Sequence, residues 1–122
     1  MNARTILAAA LVLAPLAAFA HSASVGVNGG SQVDAGHFHV EMVARATTMT
    51  FYIRDHADKP VATDGFKGTA IFILDGKSQR IPLVPAGENR LSGTAPAALP
   101  DKPRGAVQIT TPSGATVQGR FN

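Results

Sequence analysis

The chain has 122 residues, eleven Lys and Arg against eight Asp and Glu for a net charge of +3, and no cysteine. Without cysteine there are no disulfides and no thiolate metal sites, so the core must hold itself without a covalent cross-link. The charge balance is weak, and Arg45, Arg54, Lys59, Lys67, Lys77, Arg80 and Arg90 are scattered singly, which argues against a phosphate-tracking stripe and against nucleic acid as a partner.

Residues 1–20 read as a secretory signal. Arg4 supplies the positive start, residues 6–16 an apolar stretch, and Ala18-Phe19-Ala20 the small-x-small pattern that a signal peptidase cuts after. The segment is too short and wrongly flanked for a membrane span, and no later run approaches the roughly 18 apolar residues a span needs. The expected product is an exported, periplasmic protein of about 100 residues, with no membrane span after cleavage, a net charge of +2 once Arg4 is removed, and His21 as its first residue. Residues 21–36, "HSASVGVNGGSQVDAG", hold four glycines and little to bury, and read as a flexible arm. "NGG" in this arm has neither the following helix nor the lysine of a phosphate loop.

From His37 the pattern turns to a period of two, and residues 37–122 read as one domain. "HFHVEMVAR" puts His37, His39 and Glu41 on one face and Phe38, Val40 and Met42 on the other. "MTFYIRD" puts Met49, Phe51 and Ile53 together, and a turn at Ala46-Thr47 joins the two segments as a hairpin. "GTAIFIL" is apolar on both faces, which suits a strand covered on both sides, and Asp75-Gly76 is a favoured type I′ turn into "SQRIPLV". Pro82 cannot donate to a ladder, so this return strand is expected at an edge. "ENRLSGTA" is a weaker strand. The proline-rich "APAALPDKPRG" reads as a crossing loop, and "AVQITT" with "ATVQGRF" as a last hairpin. About seven short strands point to an all-β fold, a small antiparallel β-sandwich of immunoglobulin-like type, with an open barrel as the alternative architecture.

Three of the four histidines lie within 19 residues at the start of this pattern. A histidine at a free N-terminus can chelate a metal through its α-amine and imidazole, and the amine's ordinary pKa of about 7.7–8.0 makes its deprotonation by a metal cheap near neutral pH. Cu(II) accepts such a tetragonal nitrogen set and heads the divalent affinity order; Zn(II) is the alternative. His39 or His37 would supply the further imidazole, and Glu41 shares their face. With the turn at Ala46-Thr47, His39 faces about Arg54 or Asp55, which brings His56 towards the His37 end. The candidate metal ligands are therefore His21, His39, His37, Glu41 and His56. Each also has a plain reading: a surface imidazole, a solvated strand carboxylate, or, for "DHAD", a turn with an Asx bond. Met42 and Met49 read as core. No elbow motif or recognisable nucleophile accompanies Asp55, His56 and Asp58, so hydrolase chemistry is not expected.

The run "HSASVGVNGGSQVDAGHFHVEMV", followed by "TFYIRDHADKPV" and "KGTAIFI", resembles a group of small exported bacterial β-proteins. It is also similar to the N-terminal H-x-x-x-GG…G-x-x-H-x-E segments of periplasmic adaptor subunits of heavy-metal efflux pumps. The resemblance covers residues 21 to about 75. It implies periplasmic heavy-metal or copper handling, with His21, His39 and Glu41 at the matching positions and a periplasmic efflux or metal-transfer protein as partner. The chain departs from the pattern where His21 is followed by Ser22 rather than Gly and the spacer is longer. No helical hairpin or lipoyl-like segment is legible, so pump assembly is not implied. The leading expectation is a non-enzymatic metal-binding protein that buffers or passes on the ion. The second is a non-metal envelope interaction module anchored by Phe66 in "DGFKG", and the third is a histidine-brace copper enzyme.

Overall fold

The computed structural model describes residues 23–122. The expected signal at residues 1–20 and His21 lie outside the described residues. Among the described residues nine strands form one antiparallel sheet: β1 (Ser24–Val25), β2 (Ser31–Ala35), β3 (Phe38–Arg45), β4 (Thr48–Asp55), β5 (Lys67–Leu74), β6 (Lys77–Pro85), β7 (Arg90–Thr94), β8 (Arg104–Thr110) and β9 (Thr116–Phe121). Their order is β1-β2-β3-β4-β7-β6-β5-β8-β9, and the sheet curls into a half-barrel that brings β2 and β9 together. Gly119 makes that approach possible, since a Cβ there would stand 3.0 Å from Cγ2 of Val33. Among the described residues no helix is long and apolar enough to cross a membrane.

Strands β3 to β9 are the seven that alternation predicts, and their faces follow it. Val40, Met42, Met49, Phe51, Ile53, Phe72, Ile81, Leu91, Val107, Ile109 and Phe121 all point inward and are buried. Phe51, Phe72 and Phe121 meet at the centre with ring centroids 5.9–6.3 Å apart, mostly in the tilted or edge-on arrangements that aromatic quadrupoles favour. The β3–β4 hairpin turns at Ala46-Thr47 and pairs His39 with Arg54. Asp75 and Gly76 both have positive φ, as a type I′ turn requires.

Four expectations need correction. The described part of the 21–36 arm is a hairpin: β2 pairs with β3 along its whole length, and β1 pairs with β2. The strand carrying Pro82 is not at the end of the sheet. It runs between β5 and β7, but it pairs with β7 only at Val84 and Pro85, so Pro82 lies where that side has no ladder to interrupt. Strand β5 is covered on one side only: Ala70, Phe72 and Leu74 are buried, whereas Ile71 is half-buried and Ile73 is 58% exposed. Phe66 is not at an exposed tip but buried, packed edge-on against Phe38 with centroids 6.1 Å apart, so it cannot anchor a partner as it stands.

Candidate functional site

The outer face of β2, β3 and β4 carries two cross-strand rows. Asp34, His39 and Arg54 form one, and Gln32, Glu41 and Tyr52 the next. Alternation puts all six outward, which in an open sheet means towards water. Glu41 is nevertheless fully buried, because the β1–β2 hairpin folds over it.

That cover is specific. The Glu41 carboxylate accepts the backbone N–H of Asn28 (2.9 Å) and of Gly30 (2.8 Å), and the Asn28 side-chain amide at 3.1 Å. The Arg54 guanidinium stands 3.8 Å away and also donates to Gln32. A buried carboxylate costs several kcal/mol unless hydrogen-bonded and charge-compensated, and here both conditions are met. The turn can come so close only because of its glycines: a Cβ on Gly26 would stand 2.1 Å from Cδ of Glu41, and one on Gly30 2.2 Å from the Met42 carbonyl oxygen. Glu41 therefore fastens the hairpin to the sheet instead of offering a solvated ligand, which corrects its expected place on an open face.

His39 sits in the other row with 27% of its side chain exposed. Its Nδ1 is 2.7 Å from the Asp58 carboxylate, and its Nε2 is 3.5 Å from that of Asp34. A carboxylate can only accept at 2.7 Å, so Nδ1 carries the proton in the neutral ring and Nε2 keeps its lone pair on the Asp34 side.

Asp58 is held in place by the loop that follows β4. There the Asp55 carboxylate accepts the N–H groups of Ala57 (2.9 Å) and Lys59 (3.0 Å), and the Asp58 N–H donates to the Asp55 carbonyl at 2.9 Å. The hydrogen bond from Lys59 is the main reason the Asp55 carboxyl lies below its ordinary pKa. Partial desolvation opposes that shift, while the Ala57 hydrogen bond and the nearby His56 and Lys59 assist it. Asp58 has φ of 62°, a left-handed conformation that Asp adopts more readily than most residues.

The remaining expected ligands are placed differently. His37 is in the two-residue Gly36-His37 turn between β2 and β3, exposed, and not on a strand. His56 is exposed in the loop after β4, one step beyond the last β3–β4 pair, Phe38 with Asp55. His21 lies outside the described residues. Among the described residues no three His, Cys, Asp or Glu side chains converge closely enough to hold a metal ion. What the fold does bring to His39 is Asp34 and Asp58, neither of which the spacing of the histidines singles out. A surface groove of about 620 Å³ lies beside this row, with Asp34, Gln32 and Arg120 among its lining residues. Compared with protein-family models, with curated proteins and with solved structures, the chain shows no match.

Proposed function

We propose that the protein is an exported, periplasmic metal-binding protein that takes Cu(II), with Zn(II) as the alternative ion, and buffers it or passes it to a periplasmic transfer or efflux partner. The observation that carries this reading is the setting of His39. Metal-binding imidazoles characteristically donate their second ring N–H to a carboxylate, which fixes the tautomer and raises the basicity of the ligating nitrogen. Asp58 stands where that carboxylate belongs, and Asp34 stands beside the lone pair of Nε2. His39 Nε2 and a carboxylate oxygen of Asp34 make half a site. The α-amine and imidazole of His21, freed by signal cleavage, would complete it. Strand β1 starts at Ser24, opposite Gln32 and one strand away from the His39 row, so three residues of about 3.3 Å each give His21 the reach. His37, Glu41 and His56 are left out of this set: His37 is exposed in a turn, Glu41 is held in a buried hydrogen-bond cluster, and His56 is exposed in the loop after β4, whose contact with His39 is made by Asp58.

We also infer that the curled sheet is a sandwich of the immunoglobulin-like type. Support comes from its connections: β5, β6 and β7 are joined by hairpins and β8 returns beside β5, a Greek-key arrangement. Strand β6 pairs with β5 along most of its length and with β7 at its end, as a strand shared by two layers does.

The test is Cu(II) affinity by chelator competition, on protein whose intact mass shows residues 1–20 removed. His39→Ala is expected to weaken binding at least ten-fold, about 1.4 kcal/mol, and one extra residue before His21 to weaken it similarly. Equal affinities in all three proteins would overturn the proposal.

A further inference from the structure

The strands β5, β6, β8 and β9 contain no Asp or Glu at any position, and they hold Lys67, Lys77, Arg80, Arg104 and Arg120. Basic residues that look scattered along the chain are gathered by strand register. Ile71 pairs with Arg80 on one side and with Ala106 on the other, and Ala106 pairs with Arg120, so Arg80-Ile71-Ala106-Arg120 is a single cross-strand row. Ile73, two residues along β5, lies between Ser78 and Arg104. All three arginines are exposed, and among the described residues no carboxylate lies within ion-pair distance of them. Residues 1–22 contain no Asp or Glu either.

We propose that this face docks on an anionic phospholipid surface, its guanidiniums on lipid phosphates and Ile71 and Ile73 at the acyl boundary. Three inter-strand steps of about 4.8 Å put Arg80 and Arg120 roughly 14 Å apart at Cα, too far to close on one small anion. The spacing suits a surface that repeats its phosphates. Guanidinium forks take phosphate oxygens two at a time, and each basic residue near an anionic leaflet adds to the attraction. The aliphatic side chains decide for a membrane over an acidic polypeptide. Ile73 is 58% exposed among arginines, where carboxylates would gain nothing from it and a lipid interface would bury it. The geometry needs no membrane-crossing segment.

The experiment is co-sedimentation with vesicles of phosphatidylglycerol and phosphatidylethanolamine, set against vesicles of phosphatidylcholine alone. The phosphatidylcholine arm accounts for any binding by apolar residues 6–16 if the signal is retained. Binding is expected to phosphatidylglycerol only and to be released by 0.5 M salt. It should fall at least ten-fold in R104Q/R120Q and several-fold in Ile73→Ser, but not in R45Q/K59Q, which removes the same charge elsewhere. All variants should melt with the parent. Equal binding to both vesicle types, or equal loss in the two double variants, would overturn the proposal. Binding of polyglutamate but not of vesicles would also overturn it, and would assign the face to an acidic protein.

Discussion

The two outer faces of this sheet are built on the same inner core and differ in how their charges are compensated. On β2, β3 and β4, Glu41 is tied to Arg54 and to the covering hairpin, and His39 to Asp58 in the loop after β4, so each charge meets a partner within the protein. On β5, β6, β8 and β9, Arg80, Arg104 and Arg120 have no acidic partner among the described residues, and Ile73 is exposed beside a half-buried Ile71. Burial of polar groups is expensive and is therefore compensated in detail, whereas exposure is cheap and leaves a face available. Stability should accordingly be sensitive to outer-face substitutions on one side and nearly indifferent on the other.

The largest effect is expected at Glu41. Glu41→Ala leaves the Arg54 guanidinium buried without its carboxylate and strips the Asn28 and Gly30 N–H groups of their acceptor, a loss of about 3–5 kcal/mol by the usual cost of breaking a buried pair. Urea denaturation measures it. A loss below 1 kcal/mol would mean that water replaces the carboxylate, and that the hairpin cover is not what holds this face together. Gly26→Ala asks the same question from the other side. Its new methyl group would meet the Glu41 carboxylate, and the expected cost is about 1–3 kcal/mol as the hairpin lifts. On the bare face, Ile73→Ser and Arg104→Gln should each change stability by less than about 0.5 kcal/mol, because neither side chain is packed or paired. A cost above 1 kcal/mol at either position would end the contrast between the faces.

What could be read from the sequence follows the same division. The inner face was legible because burial enforces a period of two: Met49, Phe51 and Ile53, or Ala70, Phe72 and Leu74, cannot change register without exposing the core. Asp75-Gly76 announced its turn by residue type. The outer face is harder, since a carboxylate in alternation looks the same whether water or a hairpin covers it, and only the hydrogen bonds from the hairpin turn show Glu41 beneath Asn28. Strand β2 is hard to see in the sequence because "SQVDA" has few β-branched residues and follows three glycines within five positions. The signal that could have found it is the two-residue Gly36-His37 turn, with Gly36 at φ of 58°, which pairs Asp34 with His39. Asp58 was hidden for a different reason, as its approach to His39 depends on a loop shape set by Asp55. The double apolar pattern of β5 suggests two-sided burial, whereas its outward residues are a half-buried Ile71 and an exposed Ile73.

The smallest effect expected is in acid, at that same loop. Asp55 accepts two backbone N–H groups that favour its charged form, so its folded pKa lies below the ordinary carboxylate value of about 3.9. A depressed folded pKa means the unfolded chain binds the proton first. The stabilisation is therefore complete above the ordinary value and is lost as pH falls through the lower, folded one. Asp55→Asn keeps a side-chain oxygen to accept the Ala57 and Lys59 N–H groups but removes the titration. Between pH 5 and pH 2 the parent should lose slightly more stability than this variant, and at pH 7 the charged parent should be the more stable of the two. The NMR titration of the Asp55 carboxyl carbon locates the midpoint directly. A midpoint at or above the ordinary value would show the loop open in solution, and would remove the support that holds Asp58 against His39.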